Sequence, residues 1–333
     1  MEKNSLGGID AKDRKILFEL ETDARQSAAQ IARKAGLSED VVNYRIKKYL
    51  KSGLITKFFI IPNFDMLGLG TYRFYFQFRA TSKAKENEII DYIREKMPCQ
   101  WLGVCHGQWD VIGRITARDI FEYNNLMDEF FALYGEYISR KEFTVQLRHT
   151  WWPSTYGFME GNRKRGKLRH FVPKEVKKAK FDNLDLKIMS VMIERARLPV
   201  IEIAKEVGAS PDTVHLRIKR LVKDGIITQI KSYFNREKMG YSHMQVFVNM
   251  NQDRKRIGEF ISFLNLFEPC FFISSMVGAW DMQFGLDAKG SVEFNELFAR
   301  IKEKFPDVIK SYETLIVYRE YAPNPFVHFI GKG

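Results

Sequence analysis

Apolar side chains in the first 60 residues recur at helical spacing in three consecutive segments, the first over about residues 10–22 and the second over about 27–35. Gly36 ends the second helix, because glycine readily takes the left-handed conformation found just past a helix C-terminus. Ser38 is a good N-cap for the third. The inward-facing positions are Ile16, Leu17 and Leu20, then Ile31 and Ala32, then Val42, Ile46, Tyr49 and Leu50. Three helices with this turn predict a helix-turn-helix unit.

The same pattern returns further along the chain. Residues 9–56 align with residues 181–228 at an offset of 172 without a gap, and 19 of the 48 positions are identical. Pro211 opens the second copy's third helix, where its missing N–H costs nothing. The equivalent apolar and turn positions are Ile203, Ala204, Gly208, Ser210, Val214, Ile218 and Leu221. A repeat of this length predicts two copies of one unit about a pseudo-symmetry axis.

Each of the two helix-turn-helix units, which we call the heads, is followed by strand and helix patterns in the order βαββαβ. This order predicts an antiparallel sheet with both helices on one face, the ferredoxin-like split motif. In the first half the segments are 71–80, 84–96, 100–105, 109–117, 119–134 and 139–150; in the second they are 242–250, 253–267, 270–277, 280–288, 291–304 and 308–321. The first strand carries an aromatic face that we expect to be buried against the twin sheet, and its residues are Tyr72, Phe74, Phe76 and Phe78.

Each half also has a glycine turn between its second and third sheet strands, GQWD at 107–110 and GAWD at 278–281. Glycine permits an unusual turn, tryptophan can form a pocket wall, and aspartate can accept from an amine. A purely structural glycine turn with a capping aspartate is the alternative. The candidate effector-binding residues are His106, Gly107, Trp109, Asp110, Gly278, Trp280 and Asp281. Val277 stands at the position of His106, so the two units are not equivalent.

Composition is that of a soluble globular protein with more than one domain: 333 residues, 45% hydrophobic and 28% charged. No apolar run approaches the roughly 18 residues that cross a bilayer, and the start MEKNSLGGID has no signal-peptide pattern. We therefore expect a cytoplasmic protein without a membrane partner. The three cysteines, Cys99, Cys105 and Cys270, give no disulfide framework, and we expect core thiols, no metal site and no cofactor.

The net charge of +12 is unevenly placed. Residues 161–180 carry +8, residues 10–60 carry +4 and residues 182–238 carry +3, while the rest sums to −3. Basic charge on the heads and between them favours a polyanion partner. A solvated linker is the alternative for 161–180, and a small helical domain without DNA is the alternative for the heads. Glu39, Asp40 and Asp212 open the third helices and repel phosphate, so the second head is expected to bind DNA more tightly.

The heads resemble those of the leucine-responsive/asparagine-operon (Lrp/AsnC) transcription regulators. The matching residues run IDAKDRKILFEL, then AR, IARKAGLS and VVNYRIKKYLKSGLIT, with FDNLDLKIMSVM, AR, IAKEVGAS and TVHLRIKRLVKDGIIT in the second copy. The βαββαβ units with G-x-W-D resemble that family's sensor (RAM-type) domain. The resemblance implies double-stranded DNA as a partner, an amino-acid effector, and pairing of the two sheets as an internal pseudo-dimer that dimerises further.

By this resemblance, DNA-facing side chains come from both third helices: Ser38, Asn43, Tyr44, Arg45, Lys47 and Lys48, and Ser210, Thr213, His215, Arg217, Lys219 and Arg220. Of these, Lys47, Lys48, Lys219 and Arg220 are expected at phosphates, and Asn43, Tyr44, Thr213 and His215 at base edges. Arg45 and Arg217 have an alternative role, bracing the fold through Asp13 and Asp185.

The expected fold class is α+β, with two winged-helix-type helix-turn-helix domains each followed by a ferredoxin-like domain. The domain boundaries are 1–62 and 63–160, a basic linker 161–180, then 181–238 and 239–333. A sequence-specific, non-enzymatic regulator is the leading hypothesis. A weakly specific architectural DNA-binding protein is one alternative. An enzyme resembling the siroheme decarboxylases, which pair two such units around a tetrapyrrole, is another.

Overall fold

The computed structural model describes residues 9–152 and 177–331. Its first half contains α1 (Ala11–Thr22), α2 (Ala28–Ala35), α3 (Glu39–Lys51), β1 (Ile55–Pro62), β2 (Gly70–Phe78), α4 (Lys83–Lys96), β3 (Cys99–His106), β4 (Val111–Ala117), α5 (Ile120–Tyr134) and β5 (Ile138–Trp151). Its second half contains α6 (Asn183–Arg195), α7 (Val200–Val207), α8 (Pro211–Lys223), β6 (Ile227–Phe234), β7 (Ser242–Met250), α9 (Arg254–Leu266), β8 (Cys270–Gly278), β9 (Met282–Ala288), α10 (Ser291–Lys304) and β10 (Ile309–Tyr321).

Local signals place the head helices where the sequence predicts them. Asp10 and Asp13 form a reciprocal capping box at the start of α1, and Ser27 and Gln30 form another at the start of α2. Gly36 ends α2 in the left-handed conformation, at φ 69°. These caps satisfy backbone groups that a helix end leaves without intrahelical partners, which is why short helices of 8 to 13 residues begin and end so sharply.

The two heads form one body. β1 pairs with β6 as an antiparallel ribbon, with Ile60 opposite Ile230, and buried residues of both heads belong to one hydrophobic core. Arginines cross the pseudo-twofold axis reciprocally. Arg25 donates to the Leu198 carbonyl at 3.3 Å, and Arg197 donates to the Gln26 carbonyl at 2.9 Å. Since the contacts are made by equivalent residues of the two copies, they hold the heads in a fixed relative orientation.

The two sheets close into one eight-stranded barrel in the order β10-β3-β4-β2-β5-β8-β9-β7. Two seams join the halves, β5 with β8 and β10 with β3, with Val145 opposite Val277 and Val317 opposite Cys105. Closure removes every free sheet edge within the described strands of the barrel, and free edges are what lead sheets to pair with other chains. The expected internal pseudo-dimer is confirmed, and its halves are joined by hydrogen-bonded strand pairs.

The aromatic face of β2 is turned the other way from our expectation. Phe74, Phe76 and their neighbours pack with Ile89 of α4 and Phe130 of α5, under the unit's own helices. The residues that point between the two halves are the alternate ones, Arg73 and Tyr75. The amphipathic helices need an apolar bed, and the period of two along a strand then assigns the opposite set to the barrel interior.

The last described residues return to the heads. Phe326 is fully buried in the head core, and Asn324 Nδ2 donates to the Ser190 carbonyl at 2.9 Å. The barrel unit therefore ends near residue 322 rather than 333, because the apolar segment after β10 is buried against α6.

Of the expected linker 161–180, residues 161–176 lie outside the described ranges, whereas Ala179 donates its N–H to the Met66 carbonyl at 2.8 Å. None of the described helices is long and apolar enough to cross a membrane.

Candidate functional site

The outer faces of α3 and α8 carry most of the residues expected to meet DNA. Tyr44 is 69% exposed, and the other exposed members of the predicted set are Ser38, Asn43, Lys47 and Lys48, and Ser210, His215 and Lys219. Thr213 is half-buried. Ser38 and Ser210 cap their helices, accepting from Val41 N at 3.4 Å and from Thr213 N at 3.2 Å. The third helices of the two heads, α3 and α8, which we call the reading helices, are thus both formed and each exposes one face to solvent.

Three arginines of the predicted DNA-facing set are bound within the protein. Arg45 pairs with the buried Asp13 at 2.5 Å and with Asp10 at 2.8 Å, and the hydrogen bond from Arg45 lowers the pKa of Asp10 to about 2. Arg217 pairs in the same way with Asp182 at 2.6 Å and Asp185 at 3.1 Å. The bracing role that we held as an alternative is the one observed for both residues.

Arg220 differs from its expected phosphate role, because it forms a third contact with the fully buried Asp185. Its equivalent in the first head, Lys48, remains exposed on α3. The free cations on the reading helices are therefore Lys47, Lys48 and Lys51 in one head and Lys219 and Lys223 in the other, counting described side chains that have no ion pair within 4.0 Å. Glu39 and Asp40 are exposed at the start of α3.

The two glycine turns have structural roles. Gly107 and Gly278 have φ of 138° and 137°, which side-chain-bearing residues rarely adopt. A Cβ on Gly278 would lie 3.0 Å from the Phe143 carbonyl oxygen of the opposite half. Asp110 accepts from Phe78 N at 2.7 Å, and Asp281 accepts from Met250 N at 2.7 Å, so each turn is tied to the end of its first sheet strand.

The turn tryptophans face inward rather than toward a surface pocket. Trp109 and Trp280 are at most 3% exposed and pack around Tyr75 and Phe247 at the centre of the barrel. His106 is exposed and stacks on Tyr318 with ring centroids 4.4 Å apart. Effector binding at these turns stays a prediction.

One end of the barrel interior is polar, a feature that our sequence analysis missed. A chain of hydrogen bonds runs from Arg73 through Gln283 and Gln245 to His243, and His243 Nδ1 lies 2.8 Å from Glu320. Glu320 also accepts from Trp101 Nε1 and from the Tyr233 hydroxyl, both at 2.9 Å, and pairs with Arg236, which holds Asp287 at 2.9 Å. The signal available in the sequence was a single arginine inside each of two apolar strands, TYRFYF and VIGRIT.

Arg114 and His149 lie beside this network, at the edge of a cavity of about 200 Å³ under the head strands. Burial, and then the nearby Arg73 guanidinium, lower the pKa of Arg114 to about 9. Burial and the same two arginines hold the pKa of His149 well below its usual range, so this imidazole is neutral at pH 7. Since arginine only donates, the 3.4 Å contact of Arg114 with Nε2 places the imidazole proton on Nδ1, which donates to Ser274 Oγ at 2.7 Å.

The three thiols are buried in the barrel strands, and burial raises the pKa of Cys99 to about 12. Among the described residues there is no group of three or more His, Cys, Asp or Glu side chains arranged to hold a metal ion.

Comparison with known proteins identifies the heads first. Residues 9–56 and 181–228 each match the family model for winged helix-turn-helix DNA-binding domains. An uncharacterised HTH-type transcriptional regulator of Pyrococcus furiosus is 30% identical over 122 residues, which are 36% of this chain and 81% of the relative. The regulatory protein AsnC of Haemophilus influenzae is 30% identical over 135 residues, 40% of this chain and 89% of the relative. One relative therefore corresponds to about one half of this chain.

A solved structure resembles the whole duplicated chain. The siroheme decarboxylase NirDL superposes with a TM-score of 0.59 over 97% of this chain and 98% of its own, at 14% sequence identity. At that identity the likeness shows a shared fold, in which two head-plus-sheet units make one body.

Proposed function

The chain belongs to the Lrp/AsnC family of DNA-binding transcription regulators, and from this premise we propose that a single chain presents both reading helices to one DNA site. The observation that carries the proposal is the shared head body, in which β1 pairs with β6 and Arg25 and Arg197 cross between the heads. A fixed pair of helices suits two half-sites about one helical turn apart. Because the copies differ in sequence, the site is an imperfect palindrome.

The proposed contacts divide into two classes. The exposed lysines of the reading helices meet phosphates, while Asn43, Tyr44 and His215 reach base edges in the major groove. Arg45, Arg217 and Arg220 hold the reading helices against α1 and α6 through Asp13 and Asp185, and so position the contacts without making them. Both heads sit on one polypeptide, so binding does not require a second chain to complete the pair.

The test uses the full chain and duplex DNA selected from a random pool, with binding followed by fluorescence anisotropy between 50 and 200 mM salt. Each lost phosphate contact reduces the slope of log K against log salt by about 1. The double variant Lys47→Ala/Lys48→Ala is therefore expected to reduce the slope by about 2. The matched control is Lys96→Ala/Lys255→Ala, which removes the same charge from exposed positions on α4 and α9. An equal loss of slope in both double variants would contradict the proposed interface.

A weakly specific architectural role gives a different result in the same assay. A scrambled duplex would then bind as tightly as the selected one, with the same salt slope. Specific binding instead exceeds non-specific binding by about 10³-fold or more.

Tetrapyrrole binding is a second candidate, favoured by the likeness of the whole chain to a siroheme decarboxylase, one structure of which holds an iron-uroporphyrin III analogue. Visible absorbance of the purified chain and titration with uroporphyrin test it. Uroporphyrin binding that does not change the affinity for DNA would assign the barrel an activity separate from regulation.

A further inference from the structure

The cavity between the heads and the barrel has an aromatic side and a cationic side. Phe59 of β1 and Tyr233 of β6 line it from the heads, and Arg114, His149 and Trp151 line it from the barrel. The rings of Phe59, Trp151 and Tyr233 pack against one another with centroids 5.5 to 6.3 Å apart. A molecule in this space would contact both parts of the protein.

Cations outnumber carboxylates around this cavity. The charged side chains that line it are Lys57, Asp65, Arg114 and Arg148. Lys57 forms an ion pair with Glu194 at 3.1 Å, and Glu194 is not one of the residues that line the cavity. Among the described residues, the only hydrogen-bond partner of the Arg114 guanidinium is His149 Nε2. Behind it, Arg73 is held by neutral groups, Gln146, Gln283 and Ser274.

Two buried donors beside the cavity have no acceptor. Arg114 Nε and Trp151 Nε1 are both buried and without a hydrogen-bond partner in the structure. A buried donor without an acceptor destabilises the folded protein, and more so when the group is charged. Few such groups occur in a native structure. Both side chains line the same cavity, which indicates an acceptor that the protein itself does not supply.

The equivalent corner of the second half shows what satisfies such a site. There Arg236 pairs with Asp287 at 2.9 Å and with Glu320 at 3.4 Å, and the remaining space is about 10 Å³. The sequence positions explain the difference between the corners: Gly285 stands for Arg114, Glu320 for His149, Asp287 for Thr116 and Arg236 for Phe64. The second corner supplies two carboxylates to its arginine, while the first has Arg114 and a larger space, with Asp65 as the carboxylate among the residues that line it.

We propose that this cavity binds a carboxylate ligand with a flat apolar body, the carboxylate accepting from Arg114 and Trp151 Nε1 and the body lying against Phe59 and Tyr233. His149 is a positioning residue, because it joins Arg114 to Ser274 and through it to Arg73. The ligand chemistry can come from a small aromatic acid or from a carboxylate-bearing macrocycle. The proposed ligand binds in this cavity whether or not DNA is present.

The test is calorimetric titration of the full chain with indole-3-acetate. Tryptamine, which has the same ring and a cation in place of the carboxylate, is the matched ligand, and uroporphyrin represents the macrocycle. Indole-3-acetate is expected to bind one per chain and tryptamine not to bind. A hydrogen bond to a charged group is worth about 1.5–3 kcal/mol, so Arg114→Gln is expected to weaken binding roughly 10- to 150-fold. Arg79→Gln, at an exposed position on the loop after β2, should leave binding unchanged.

A second variant keeps the test informative if Arg114→Gln does not fold. Trp151→Phe keeps an aromatic wall, smaller than the indole, and removes the Nε1 donor; a neutral hydrogen bond is worth about 0.5–1.5 kcal/mol, or roughly 2- to 12-fold in affinity. Uroporphyrin binding that depends on Arg114, without indole-3-acetate binding, would support the carboxylate site and identify its source as a macrocycle. Binding of neither acid, equal binding of tryptamine, or wild-type affinity in both variants would overturn the proposal.

Discussion

Replacing Glu320 by glutamine tests whether the buried ion network joins the barrel to the heads. The carboxylate is 14% exposed and accepts from Trp101 Nε1 and from the Tyr233 hydroxyl, both at 2.9 Å. It also faces His243 Nδ1 at 2.8 Å and Arg236 at 3.4 Å. Glutamine has the same shape with one carbonyl oxygen, and its amide group would direct N–H donors at groups that are themselves donors.

The expected loss of stability is large for a substitution that replaces one carboxylate oxygen by an amide nitrogen. Removing one partner of a buried ion pair costs about 3–5 kcal/mol. Because Arg236 keeps Asp287, we expect the lower end, a loss of about 3 kcal/mol in the free energy of unfolding at pH 7. Urea denaturation followed by tryptophan fluorescence measures it. Glu303→Gln, the same substitution at an exposed position of α10, is the control and should stay within about 0.5 kcal/mol of the wild type.

The pH dependence of this loss has a definite sign. Burial opposes ionisation of Glu320, but the attraction of His243 and Arg236 and the hydrogen bonds to it outweigh burial, so its pKa lies well below the usual range. In the unfolded chain the pKa of a glutamate is about 4.3. Stability from the ionised group is therefore fully present above that value and is lost as the pH falls toward the folded pKa. The gap between wild type and variant should be constant from about pH 6 to 8 and shrink below about pH 4. A gap that stays at its neutral value down to pH 3, or that is absent at pH 7, would refute the reasoning.

Other substitutions distinguish residues needed for the backbone conformation, residues that brace the reading helices, and residues that contact DNA. Gly278→Ala should lose about 1–3 kcal/mol of unfolding free energy, because its φ is 137° and a Cβ would lie 3.0 Å from the Phe143 carbonyl oxygen. Gly258→Ala in α9, where a Cβ meets nothing within 4 Å, should instead gain about 0.5–1 kcal/mol of unfolding free energy; urea denaturation measures both changes. Arg45→Ala should lose about 1.5–3 kcal/mol of stability, whereas Lys47→Ala should keep its stability and reduce the salt slope of DNA binding by about 1. The reverse pattern for this last pair would show that the two roles were assigned the wrong way round.

The heads could be predicted from the sequence because their signals are local. Gly36, Ser38 and the apolar spacing of three short helices decide where each helix begins and ends, and the same signals occur twice. The bracing of Arg45 and Arg217 could be anticipated as well, since the two copies have an arginine at the same position of the third helix and an aspartate, Asp13 or Asp185, at the same position of the first. The role of Arg220 could not, because its equivalent Lys48 makes no ion pair with Asp13, and only the geometry shows Asp185 accepting from a second arginine.

The strand faces were harder, because alternation says which residues share a face and not which face is inside. Tyr72, Phe74, Phe76 and Phe78 are large and aromatic, so we assigned them to the twin sheet, yet α4 and α5 needed the same surface. The polar interior was hidden for a related reason. Arg73 and Arg114 are isolated in sequence, and their partners come from other strands: His149 is 35 residues from Arg114, while Gln146 and Ser274 are 73 and 201 residues from Arg73. Sequence spacing does not bring such residues together; barrel closure does.

Because the two copies are fused in one chain, equivalent positions inside the barrel can carry different polar residues in the two halves. In a homodimer every interface residue occurs twice, so a buried Arg73 would face a second Arg73 across the twofold axis. In this chain Gln245 stands at the equivalent position, and Gln283 accepts from Arg73 while donating to Gln245. The same freedom lets one corner pair Arg236 with Asp287 and Glu320, while at the other corner Arg114 has no ion pair within 4.0 Å among the described residues. Two copies that mutate independently can place a cation in one half and its acceptor at the equivalent position of the other, and a single polypeptide provides this without losing the paired heads.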